Sequence, residues 1–341
     1  APKPIGTPAA GFDISPDGKV LAVGRKGVEL FDVDNGRRKG TLRIAPLGGF
    51  LARVVFSADG KRLAVATVQG DLGIIDVATG KLTQLTNPSP AGKAMAPMAI
   101  GFAGQGLYLQ AMDGAYLVRT DPGSQGVRLA GPRNHVVALG GTVFGANPQN
   151  GELEAWDAKS GATKPVPIRD DRKVGYIVAS RDGSTLAVMH QRWGTRMRHD
   201  LVVYDGLTSS PIRSFKGDSV GTAALGVSPD SKTLLVSSVL GHVYDWDLAR
   251  GEMRRLTRSE ETQASKDLAF LPDGKHVIHS VGSYYVRIRE ARTGRVVRQW
   301  DARHRHLGLA KLLPDGERLV TSGTDGAVRL WWLGKSQPAP A

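Results

Sequence analysis

A four-residue turn that returns along the chain constrains the fold more than any other feature. Ser15-Pro16-Asp17-Gly18, Ser57-Ala58-Asp59-Gly60, Ser180-Arg181-Asp182-Gly183, Ser228-Pro229-Asp230-Ser231, Leu271-Pro272-Asp273-Gly274 and Leu313-Pro314-Asp315-Gly316 share its form. The first two copies start 42 residues apart, as do the last two. The longer gap between Ser57 and Ser180 holds two weaker copies, Ala103-Gly104-Gln105-Gly106 and Leu139-Gly140-Gly141-Thr142. Eight repeats result, and a fixed period of this length marks a solenoid, a propeller or an array.

The flanks of the turn decide among these. Each turn is followed by a short apolar run, such as Lys19-Val20-Leu21-Ala22-Val23. A second run ends in a large apolar residue and an acid: Phe31-Asp32, Ile75-Asp76, Trp156-Asp157, Tyr204-Asp205, Trp246-Asp247. A Gly-bearing turn (Asn35-Gly36, Thr79-Gly80, Ser160-Gly161, Arg250-Gly251, Thr293-Gly294) then leads into a last run. Runs of four to seven residues rich in Val, Ile, Leu and aromatics, bounded by Gly, Pro, Asp and Asn, are short antiparallel strands. No stretch keeps helical spacing long enough to argue for a helix. One four-stranded sheet cannot bury both faces alone, and packing such sheets radially solves the problem.

The turn, the Trp-Asp after the third strand and the ~42-residue period resemble the WD40-repeat family, most of all its divergent bacterial members. The resemblance implies an all-β, eight-bladed β-propeller of four-stranded antiparallel blades, with seven blades as the alternative. Repeats are placed near 9–44, 51–86, 94–130, 133–168, 173–215, 219–256, 263–300 and 305–334, with 335–341 as a Pro/Ala-rich tail or linker. The Gly-His pair that opens a repeat of this family is missing, so its Asp-His-Ser-Trp hydrogen-bond network is not expected. The last repeat supplies only three strands. The fourth is assigned to the N-terminal segment around Lys3 to Thr7, whose prolines permit an edge strand at best.

Chemistry is sparse. Without cysteine there are no disulfides, thiolate metal sites or cysteine nucleophiles. No phosphate-binding loop or His-Glu-x-x-His occurs, so no catalytic set, cofactor or metal site is expected and the chain reads as a non-enzyme. Asp32-Val33-Asp34-Asn35-Gly36 slightly resembles a calcium loop, but a structural Asp/Asn/Gly turn fits its position better. His276 and His279, three apart on one strand, point to opposite faces. His304 and His306 share a side, but Arg303 and Arg305 beside them disfavour a cation. Trp156, Trp246, Trp331 and Trp332 read as packing between blades. No apolar run could cross a bilayer. The chain starts at Ala1 without Met or a signal core, which is the expectation for a processed or excised product.

The remaining signal is loop charge. Lys plus Arg number 45 against 32 Asp plus Glu, a formal +13, and such a balance favours acidic partners. At the end of the blades bearing the second-to-third-strand turns, the segment Gln191–His199 reads as an unusually long loop with three Arg, a Trp and a Met. Arg25, Lys26, Arg192, Trp193, Arg196, Arg198, Arg303 and Arg305 are therefore the candidate partner-binding residues. The leading expectation is a monomeric scaffold that binds an acidic protein or peptide. Alternatives are an enzyme or small-molecule site at the central channel, and charge-driven nucleic-acid binding, which the scattered basic residues disfavour. The compartment is not legible.

Overall fold

The computed structural model describes residues 3–4, 11–45, 47–89, 97–104, 106–111, 113–120, 126–130, 136–139, 141–146, 152–166, 173–179, 185–192, 198–205, 211–216, 222–238, 242–257, 268–281, 284–304, 307–323 and 325–333. These form eight four-stranded antiparallel sheets, and no helix occurs among the described residues. Sheet one runs through Phe12–Ile14, Val20–Gly24, Val28–Asp32 and Arg38–Leu42, hydrogen-bonded in that order. The same meander recurs in every sheet, except that the last takes one strand from the N-terminus. There Lys3–Pro4 pairs antiparallel with Val328–Trp332, placing Lys3 opposite Leu330 and Pro4 opposite Arg329. This is an edge position, where a proline costs no ladder bond.

The repeated turn is self-sufficient chemistry. In sheet one the Ser15 hydroxyl donates to Asp17 Oδ1 at 2.5 Å, the same oxygen accepts the Lys19 N–H, and Ser15 Oγ accepts the Val20 N–H. Sheet two repeats this set with Ser57 and Asp59, and sheet six with Ser228 and Asp230. The fourth position needs positive φ, which Gly18 and Gly60 supply without strain and Ser231 adopts at 56°. The Ser15 hydrogen bond is the largest cause holding the Asp17 carboxyl below its ordinary range.

Third-to-fourth-strand turns are closed in the same manner. The Asp32 carboxylate accepts the N–H groups of Asp34 and Asn35, so the calcium-like segment folds as an ordinary Asx turn. Asp157 does the same with Ser160, whose backbone and hydroxyl bonds, with Lys164, pull its pKa to about 2.

Burial lies between successive sheets. The chain forms two compact units, Ala9–Asp171 and Ala1–Pro8 with Arg172–Ala341. In the first, Ala22 and Val28 of sheet one pack with Leu51, Val54, Phe56, Leu63, Val65 and Ile75 of sheet two. Asp13 adds a polar staple: its two carboxylate oxygens accept the N–H groups of Ile14 and of Phe56 on the next sheet. In the second unit Trp246 packs with Ala187, Met189 and Leu234, and Trp331 with Ile278, Val286 and Leu307. Trp156, Trp246 and Trp331 occupy the same register, opposite Val143, Leu234 and Leu319. All three are buried, as inter-sheet packing requires.

Candidate functional site

At the second-to-third-strand end, the sequence changes from sheet to sheet and the chemistry opens. Sheet one turns there through Arg25, Lys26 and Gly27. The Arg25 N–H donates to the Gly27 carbonyl, and the Arg25 carbonyl accepts the Leu51 N–H, both at 2.8 Å. The turn of sheet two, residues 68–71, is tied to the same connection because the Val68 N–H donates to the Phe50 carbonyl at 2.8 Å. Backbone bonds thus hold Lys26, Phe50 and Val68 together. Phe50 is 53% exposed and Val68 38% exposed. The Lys26 ammonium stands 5.5 Å from the Phe50 ring centroid, within cation–π range. Gly49 makes the bend possible: its φ is +77°, and a Cβ there would collide with the Gln69 amide.

Met98, 47% exposed, adds a third apolar side chain. Its carbonyl accepts two bonds from the Arg53 guanidinium, Nε at 3.1 Å and Nη2 at 2.9 Å, while Nη1 reaches the Ala52 carbonyl at 2.9 Å. Burial pulls the Arg53 pKa down from its ordinary value. Among the described residues no carboxylate pairs with Lys26 or Arg53. Next to Gln69 lies a cavity of about 410 Å³, whose lining includes Gln69, Asp71, Gln84, Thr86 and Asn87.

The expected partner-binding residues divide on inspection. Arg25 is drawn back onto Glu29 at 3.2 Å, where Arg38 also arrives at 3.4 Å, whereas its neighbour Lys26 is exposed. Arg303 is exposed at a strained φ of +54°, its N–H on Asp301 Oδ1 at 2.6 Å. Beside it the 47%-exposed Tyr284 accepts the Ala302 N–H on its carbonyl. Trp193, Arg196 and Arg305 lie outside the described residues, as do the side chains of Arg192 and Arg198. The segment 191–199 is shorter as a loop than its sequence suggests. The strand ladder of sheet five continues through Gln191 opposite His199 and Arg192 opposite Arg198, so only residues 193–197 connect the strands. Polar residues that can pair across a two-stranded ribbon disguised the extension.

The network that was not expected is present in sheet eight. His304 Nδ1 meets Asp325 Oδ1, His304 Nε2 meets Thr321 Oγ1, and Trp331 Nε1 donates to Thr321 Oγ1, each at 2.8 Å. Arg329 also reaches Asp325 Oδ2 at 2.8 Å. His304 was grouped with its basic neighbours because no Gly precedes it. Thr321 stands where the WD40 pattern has serine, bridging His304 and Trp331, and that substitution hides the network in the sequence. Burial lowers the His304 pKa, against the opposing pull of Asp325. Sheet seven carries a different pair in the corresponding register, with Arg289 Nε donating to His279 Nε2 at 2.9 Å inside the core. Among the described residues no group of three or more His, Asp or Glu could hold a metal ion. No helix among them is long and apolar enough to cross a membrane.

Comparison with known proteins settles the architecture. The crystal structure of the computationally designed Ika8 protein superposes with a TM-score of 0.69 over 96% of both chains, at 16% identity. The fold is an eight-bladed β-propeller. Residues 306–331, in blade eight, match the family model for the WD domain, G-beta repeat. Protein groucho of Drosophila melanogaster is 31% identical over 108 residues, 31% of this chain and 14% of that protein. The LST8 homolog of the same organism is 25% identical over 191 residues, 52% of this chain and 58% of that protein. The chain thus spans from about a seventh to just over half the length of these curated relatives.

Proposed function

We propose that this chain is a non-catalytic protein-interaction scaffold, monomeric, that binds an acidic protein or peptide through loops at the second-to-third-strand end of its blades. The observation that carries this reading is the exposed Phe50–Val68–Met98 set held between Lys26 and Arg53. Apolar side chains at the surface beside cations that pair with no carboxylate among the described residues are what an interface core with a charged rim requires. Lys26 and Arg303 are the expected residues that the geometry leaves presented to a partner. Arg192, Trp193, Arg196, Arg198 and Arg305 belong to the same proposal, and Arg25 serves as a support for the turn.

The test is capture from source lysate on immobilised chain, with wild type compared with three variants. One carries Lys26→Glu with Phe50→Ser, a second Arg192→Glu, Arg196→Glu and Arg198→Glu. The third reverses Lys19, Lys61 and Lys275 at the opposite end. Retention of a partner by wild type and the third variant, with loss in either of the first two, is the expected result. Equal retention by all four, or none by wild type, overturns the reading.

A further inference from the structure

Resting on that reading, we infer that the cleft of blades one to three is a specific subsite for an extended acidic peptide with an apolar anchor. The anchor, a Leu, Met or Phe side chain, lies on the Phe50–Val68–Met98 surface. Carboxylates flanking it meet Lys26 and Arg53, and its main chain passes over Gln69 into the adjoining cavity.

Each part follows from the geometry. Val68 and Phe50 are joined through one backbone bond, and Met98 is fixed by Arg53 one residue beyond Leu51 and Ala52. The backbone that carries the three exposed side chains is therefore fixed, while an unbranched Met at the rim lets the surface adapt to its anchor. The Arg53 guanidinium is half-buried and, among the described residues, bonded to the Met98 and Ala52 carbonyls and to no carboxylate, so its charge is partly desolvated. A carboxylate reaching it gains a charge-assisted bond in a setting drier than open surface. Lys26 stands on the Phe50 ring at the other side of the anchor surface. The cavity beside Gln69, about 410 Å³, is within the size range of ligand sites of ~300–1,000 Å³. Its lining offers the amides of Gln69 and Gln84, which carry both donors and acceptors and so suit a peptide main chain, while the Asp71 carboxylate on the same wall directs the ligand's own carboxylates away toward Lys26 and Arg53. Asn87 already reaches the Gly70 carbonyl at 2.6 Å, which holds one wall in place. A single-stranded nucleic acid would want several stacking faces along a basic track. Here one aromatic is flanked by aliphatic side chains.

The experiment is fluorescence anisotropy on the full chain with four labelled probes. These are the peptide Asp-Glu-Leu-Asp-Glu, its Leu-to-Ser and its all-Lys versions, and an oligothymidine. The account expects salt-sensitive binding that is tightest for the first and absent for the all-Lys peptide and the oligothymidine. It expects a loss of about tenfold with the Ser peptide and with each of Phe50→Ser, Lys26→Glu and Arg53→Gln, as for an interface anchor. A smaller loss of a few-fold is expected with Gln69→Ala. Phe50 and Lys26 are exposed, so these two variants should keep the wild-type urea midpoint, which separates lost binding from lost folding. Absence of peptide binding, equal binding by the variants, or binding of oligothymidine as tight as of the peptide overturns the inference. If a captured partner is retained while this peptide is not, the subsite fails and the scaffold reading stands.

Discussion

Blades two and eight solve the same corner of the fold in opposite ways. Their strand registers align Gly48 with His304, Gln69 with Asp325, Val65 with Thr321 and Ile75 with Trp331. Blade eight fills those four positions with groups that satisfy one another, and its second-to-third-strand turn is locked to the preceding connection by side chains. Blade two has no such groups at those positions: its turn is closed on itself by Thr67, whose hydroxyl accepts the Asp71 N–H at 3.0 Å, and is tied to the preceding connection by the Val68 N–H on the Phe50 carbonyl, with Gln69 against Gly49. The closed corner spends its polar atoms on the fold. In the open corner Phe50 and Val68 face solvent, with polar side chains beside them. Under the proposed function, stability and recognition fall to different blades, and substitutions should separate them.

The largest effect is expected in the closed corner. Trp331→Ala removes a buried ring and the donor to Thr321, and should cost about 3–5 kcal/mol in urea unfolding. A loss below about 1 kcal/mol would mean that the blade-eight network does not brace the fold.

Next comes a pH effect that blade two, with no histidine, cannot show. Burial first, then the charges of Arg289 and Arg287, push the His279 pKa down to about 3. The unfolded chain binds that proton from about pH 6.5 downward while the folded chain refuses it, so stability is present above pH 6.5 and falls as the pH drops. Between about pH 6.5 and pH 4.5 the loss is on the order of 2 kcal/mol. The neutral variant His279→Gln should make the plot of urea midpoint against pH shallower. An unchanged slope would place the titration elsewhere.

The smallest stability effect belongs to the open corner. Gly49→Ala forces an L side chain to positive φ against Gln69, at about 1–2 kcal/mol. It should also weaken peptide binding by shifting Phe50. A variant that binds as well as wild type would show that the connection tolerates movement.

The sequence discloses the closed parts of this molecule best. The Ser-Pro-Asp-Gly turn is legible because its bonds run between residues two to five apart, so its composition is dictated locally. Blade count follows from that repetition. His304 and Asp325 are far less visible, since their partnership spans 21 residues and depends on register. The patch was half legible. Lys26 stands out by charge in a short turn, but Phe50, Val68 and Met98 come from separate segments and look like ordinary strand-flanking residues. Their links, the Val68 N–H on the Phe50 carbonyl and Arg53 on the Met98 carbonyl, run between segments, and only exposure distinguishes them from core. Arg25 is visible by charge in the same turn as Lys26, but its pairing with Glu29 at 3.2 Å depends on the register of the hairpin.

On the proposed function, partners meet the open second-to-third-strand end. Lysine-directed cross-linking of a captured complex, with the linked sites located by mass spectrometry, tests it most directly. Lys26 marks that end, whereas Lys19, Lys61, Lys232 and Lys275 mark the end with the repeated turns. The account predicts partner cross-links at Lys26 and none at those four. Cross-links concentrated on Lys19, Lys61, Lys232 and Lys275, with Lys26 unmodified by the partner, would contradict it.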